Sequence, residues 1–176
     1  PVDAAVNRGL VALGFSPVFK FDAQHVTVIN GGTIIALQML ISAIVRKRRA
    51  LPTMVVGVAI ASLGFVLLAW SANPWVFLGA MIVFSIGEMT AHPKYLSYVG
   101  EIAPEDKKAT YMGYAFLYGI IGSSVGPLLG AQLYVKLVDE LHRPGTLGLL
   151  FAGLGVATVL GLAGYDRWLA PRRAAS

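Results

Sequence analysis

The chain has 176 residues; 56% are hydrophobic, only 13% are charged, and the formal net charge is +5. A soluble domain carries about a quarter charged residues, so this composition, with its mean hydropathy of +0.69, argues against a soluble enzyme and for a membrane protein. Cysteine is absent, which removes disulfide frameworks and thiolate metal sites, and the basic residues sit in short loops between apolar runs, a pattern of membrane orientation rather than of nucleic-acid binding.

The chain begins with Pro1 and shows no short signal-peptide pattern, so it reads as the later part of a longer protein. Residues 1–25 do not span. PVDAAVNRGLVALGF supplies at most an amphipathic turn or two before Pro17, which predicts an external loop, with an interfacial helix as the alternative. A helix needs about 20 mostly apolar residues to cross the hydrocarbon core, and five segments qualify: 26–45, 51–70, 75 to about 99, about 110 to 137, and 146–165. Their length and lack of strict alternation favour helices over barrel strands. The fold class expected is therefore an all-α membrane protein with five transmembrane helices over 26–165, followed by a tail at 166–176.

The loops fix a direction. Arg46, Lys47, Arg48 and Arg49 follow the first span, Lys107 and Lys108 the third, and Arg167, Arg172 and Arg173 the fifth, nine basic residues on one side. The other side has four, Arg8, Lys20, Lys136 and Arg143, and Lys94 lies within the third span. The richer side is expected in the cytoplasm, with the N-terminal segment outside and the C-terminus inside, in a plasma (inner) membrane. Trp70 and Trp75 mark the outer interface and Trp168 the inner one.

Polar residues inside these spans are the candidates for function. In the first span, Asn30 and Gln38 are amides at depths where cross-helix hydrogen bonds are common, and Gln38 is also a candidate substrate ligand. The third span holds Glu88, 13 residues past Trp75 and so about 20 Å along the helix. A charged carboxylate at such depth costs about 3 kcal/mol, which predicts a cavity, a partner or a bound proton. His92 follows four residues on and shares its face, and Pro93 removes a backbone donor and crowds the carbonyl of Met89, predicting a bend. The plainer reading is a Glu88–His92 or Glu88–Lys94 pair that locks helices together. Lys94 is close enough to the inner end to snorkel.

The fourth span carries Gly122, Gly126 and Gly130, a ladder that lets another helix approach closely, and Pro127 as a second bend. Tyr111, Tyr114 and Tyr118 lie along another face, either as packing or, for Tyr114 and Tyr118, as cavity lining with hydroxyls that need partners. His25, His92 and His142 lie in different regions, with His25 and His142 expected in outer loops, so they form no metal site. There is no GxSxG, HExxH or phosphate loop, and no cofactor is implied.

The order of spans, the RKRR loop, the span ending in GE…P…IAPEDKK and the Gly-rich span with GxxxGPxxG resemble the C-terminal half of a major facilitator superfamily transporter, helices eight to twelve of twelve. Gly87-Glu88, Pro93 and LSYVGEIAP are similar to the tenth helix of its proton-dependent oligopeptide transporters. That resemblance implies that Glu88 helps hold a peptide amino terminus, that the partners are membrane lipid, protons, a peptide or similar small solute and the missing N-terminal half, and that the chain is not an enzyme. Two other readings stand beside it: a non-transporting membrane interaction or assembly protein, and an intramembrane enzyme using Glu88 and His92.

Overall fold

A computed structural model of the chain describes residues 2–14, 23–70 and 73–170. The helices run α1 (Val2–Ala12), α2 (Ala23–Val45), α3 (Ala50–Trp70), α4 (Pro74–Ile102), α5 (Lys108–Tyr134) and α6 (Pro144–Trp168). Among the described residues there is no strand. Helix is the expected answer for apolar runs of this length, because in lipid every backbone amide must bond within its own segment. Among the described residues five helices, α2 to α6, are long and apolar enough to cross a membrane. Internal hydroxyls follow the same rule: Ser62 donates to the Val58 carbonyl at 2.7 Å and Thr90 to the Ile86 carbonyl at 2.8 Å.

The boundaries differ from the sequence expectation at three places. The N-terminal segment forms an eleven-residue helix rather than a turn or two, and it ends at Gly14, whose φ of +89° only glycine adopts easily. Gly9 of α1 rests against Trp75, where an added Cβ would lie 2.7 Å from the indole Cζ2. Pro17 lies outside the described residues. His25, expected in a loop, belongs to the first turn of α2. The fourth span does not stop at 137; it continues through a π-helical turn, Val135–Glu140.

Pro93 and Pro127 sit inside α4 and α5, and both helices run past them unbroken. The start of α4 is capped by Asn73, whose side chain accepts from the Trp75 amide at 2.9 Å. Its end is followed by Pro104, which opens a 3-10 turn closed by the Lys107 amide on the Pro104 carbonyl at 3.0 Å.

Packing is organised around α3, which is flanked by α4 on one side and α6 on the other, with α2 on the far side of α4. Backbone-to-backbone approach makes the α3 contacts. A Cβ at Gly57 would meet the Ala91 nitrogen at 2.7 Å and the Gly87 carbonyl at 2.9 Å; one at Gly148 would meet the Phe65 carbonyl at 2.8 Å. Phe65 then bridges both interfaces, with ring centroids 5.2 Å from Phe84 and 5.3 Å from Phe151. On the other face of α4, Met89 packs with Ile41 and Val45 of α2.

The glycine ladder of α5 does not do what its spacing suggests. A Cβ added at Gly122, Gly126 or Gly130 finds nothing within 4 Å, and Ala115 is the one buried residue of α5. The helix touches α4 and α6 lightly and leaves the ladder open. Within the described residues no facing helix comes close enough to use it.

Candidate functional site

Glu88 and His92 lie on α4 one turn apart, on the side near Tyr118 of α5. Their neighbours Gly87, Met89 and Thr90 are buried, whereas Glu88 and His92 are exposed. The lock of the plainer reading is not seen: among the described residues no hydrogen bond or ion pair joins Glu88 to His92 or to Lys94. Instead the two share α5 as a neighbour. The His92 and Tyr118 ring centroids are 6.2 Å apart, and the Glu88 carboxylate lies within electrostatic reach of the Tyr118 hydroxyl. Tyr95, one turn further along α4, stacks edge-on against Tyr118 at 4.8 Å and donates its hydroxyl to the Ala115 carbonyl at 3.3 Å.

Four of these side chains, Glu88, His92, Tyr95 and Tyr118, thus converge where α4 and α5 meet. Tyr95 was missed in the sequence, although its spacing of seven from Glu88 and three from His92 puts it on their face. Tyr114 is on α5 one turn nearer the basic end and two-thirds exposed, with no contact to this cluster among those described. Gln38 also stays apart. It bonds along its own helix, its amide nitrogen donating to Ser42 Oγ at 3.0 Å, rather than across helices. Asn30 does cross: its side-chain amide oxygen bonds Ser85, a fully buried hydroxyl of α4 that also reaches the Met81 carbonyl at 2.8 Å.

Lys94 corrects the expectation of a snorkelling side chain. It is 6% exposed and points inward. Its Nζ donates to the carbonyls of Arg46 at 3.1 Å and Arg48 at 2.6 Å. The lysine thereby caps the carbonyls left open at the C-terminus of α2, where a positive charge is favoured by the helix dipole. Beside it, Arg49 pairs with Asp166 of α6 at 3.2 Å, and the Tyr98 hydroxyl bonds the Tyr165 hydroxyl at 2.9 Å. A cleft of about 1460 Å³ opens at this basic end, between the α2–α3 turn, the end of α4 and the end of α6. It does not reach Glu88, so the chain carries two separate polar regions. No group of three or more His, Cys, Asp or Glu side chains able to hold a metal ion occurs among the described residues.

Chemically, the Glu88 region offers a carboxylate without an ion-pair partner among the described residues, an imidazole, and two phenols. Such a set can take up a proton or a cationic group.

Comparison with known proteins agrees with the layout. Residues 9–127 match the family model of the Major Facilitator Superfamily. Over 107 residues the chain is 32% identical to an uncharacterized MFS-type transporter, YttB, of Bacillus subtilis (strain 168); the match covers 60% of this chain and 27% of that protein. No solved structure matches the chain.

Proposed function

The chain belongs to the Major Facilitator Superfamily, and from that premise we propose that it forms helices eight to twelve, in the C-terminal half, of a proton-coupled secondary transporter for small peptides or similar solutes. Glu88 is the functional carboxylate in this reading, with His92 and Tyr118 beside it and Tyr95 holding Tyr118 in place. The observation that carries the reading is the state of Glu88: it stands within a membrane span, exposed on its helix, with no ion-pair partner among the described residues.

A bare carboxylate at that depth costs about 3 kcal/mol. A proton or a substrate amine removes that cost, and alternation between the two couples one movement to the other. Gln38 and Tyr114, which take no part in the Glu88 cluster, remain candidate substrate ligands lining the same pathway. The face of α4 and α5 that bears Glu88 is, in this reading, covered by the N-terminal half of the transporter, which is also the occupant of the open glycine ladder. The nine-to-four excess of basic residues supports an orientation with α1 outside and the C-terminus in the cytoplasm of a plasma membrane.

The test is uptake by the full natural chain in liposomes under an imposed proton gradient. Accumulation of di- and tripeptides above the external concentration is expected, abolished by a protonophore. Gradient-independent equilibration, or no peptide uptake with uptake of another solute class, overturns the coupling or the substrate assignment respectively.

A further inference from the structure

The cleft at the basic end is not used by the Glu88 region, and its lining has an order of its own. Six basic and two acidic side chains line it, a net charge of +4. Both acids are occupied: Asp166 pairs with Arg49 at 3.2 Å, and Glu101 accepts from the Ser97 hydroxyl at 3.3 Å. Lys94 is committed to the backbone carbonyls of Arg46 and Arg48. That leaves the side chains of Arg46, Lys47, Arg48 and Arg167, all exposed, without a hydrogen bond or ion pair among the described residues.

Most of the rest of the wall is apolar, apart from the hydroxyls of Ser97 and Tyr98, which bond Glu101 and Tyr165. Val56 and Ile102 contribute to it and are 54% and 42% exposed. Trp168 and Leu169, next to Arg167, are 83% and 73% exposed, as residues at a membrane interface are. The cleft therefore brings cations unpaired among the described residues and exposed apolar side chains together at the basic end of the helices.

We infer that this cleft is a binding site for an anionic phospholipid, with the phosphate held by Arg46, Lys47, Arg48 and Arg167 and the start of an acyl chain against Val56 and Ile102. Cations beside exposed apolar side chains match a lipid, which joins an anionic group to hydrocarbon. A small soluble anion would use the cations and leave the apolar wall unexplained. The volume, about 1460 Å³, exceeds the range of about 300–1,000 Å³ usual for small-ligand pockets, which suits a headgroup with part of its chains. Basic pockets between helices at a membrane face take up anionic headgroups in this way. Since the lysine and arginine that brace the cleft from inside tie α2, α3, α4 and α6 together, a bound lipid would sit against the joint of four helices.

The inference rests on the membrane-spanning fold and not on transport, so its test is separate. The full natural chain, purified in neutral detergent, is titrated with phosphatidylglycerol or with phosphatidylcholine of the same acyl chains, and bound lipid is read by native mass spectrometry. The protein should retain phosphatidylglycerol selectively. Arg48→Gln with Arg167→Gln, one from the α2–α3 turn and one from the end of α6, should cut that preference by about twenty-five-fold, roughly fivefold for each charge removed. Lys107→Gln with Lys108→Gln removes the same charge from the same membrane face outside the cleft, and should leave the preference intact.

Glycerol 3-phosphate at matched concentration should not displace the lipid. Equal retention of the two lipids by the unmodified protein, equal loss of preference in both double variants, or displacement by glycerol 3-phosphate overturns the site: the first removes it, the second makes it general surface attraction, and the third makes it a site for soluble anions. Thermal unfolding in neutral lipid should be unchanged in both double variants. Should the first fail to fold, Arg167→Gln alone carries the same expectation at about fivefold.

Discussion

Helices α3 and α5 are both glycine-bearing membrane spans, and the chain treats them in opposite ways. α3 is packed on two sides, with Gly57 and Gly64 pressed to α4 and Gly145, Gly148 and Gly155 of α6 pressed to it. α5 carries the more regular ladder, Gly122, Gly126 and Gly130, and shows it to open space. Glycine permits close approach but does not supply the partner. Where a small residue on the facing helix meets it, as Gly87 and Ala91 meet Gly57, two backbones come into contact and the dispersion and Cα–H contacts of that approach hold the pair. Where no such surface faces it, the permission goes unused within the chain.

The sharpest way to break the comparison is at the α3–α4 crossing. A side chain at Gly87 would run into the backbone of Ala61 and Gly57, atoms that cannot move aside as a flexible side chain does. Gly87→Leu is expected to lose about 3 kcal/mol or more, or to fail to fold, as overpacking does in tight interfaces. Normal yield and an unchanged melting temperature would show that α3 and α4 are not in this contact.

An intermediate effect is expected from the polar brace below that crossing. Lys94→Met keeps the stem and removes the charged donor to two carbonyls, each 2.6–3.1 Å away. Hydrogen bonds to charged groups contribute about 1.5–3 kcal/mol, so a loss of that order in thermal unfolding is expected. No loss would mean that Lys94 reaches the interface as a snorkelling residue after all.

The smallest stability effect belongs to α5. Gly126→Leu meets nothing within 4 Å and should change the unfolding free energy of this chain by no more than about 0.5 kcal/mol, as for an unconstrained surface site. A large loss measured on this chain would place a neighbour on the ladder and erase the contrast with α3. In the full natural chain the same substitution probes the proposed N-terminal half, and a loss confined to that chain would support it.

Much of this was legible in advance, because a membrane span is written in length and hydropathy. All five spans were read, and their ends fell within a few residues of the helices at most termini. The misses have physical causes. His25 was assigned to a loop because hydropathy falls there, yet the first turn of a membrane helix can be polar where it leaves the hydrocarbon. The extension of α5 through a π-helical turn to Glu140 left no mark in composition. The open ladder could not be foreseen, since spacing reports one surface and contact needs two. In the site, Glu88 and His92 stood out as ionisable residues in an apolar run, whereas Tyr95 was hidden by its ordinary character and the inward turn of Lys94 depended on carbonyls forty-six and forty-eight residues away.

The central claim is that the exposed carboxylate of Glu88 on α4, without an ion-pair partner among the described residues, is the one that exchanges proton and substrate. Glu88→Gln keeps the shape and removes the charge, and because the side chain makes no ion pair among the described residues, folding should be unaffected. The measurement is accumulation of a transported peptide by the full natural chain in liposomes under a proton gradient, across a range of pH. The expected result is that Glu88→Gln protein, with a normal melting temperature, no longer accumulates peptide above equilibrium. Full driven uptake by that variant with an unchanged pH profile would contradict the claim and leave Glu88 a residue of the helix surface.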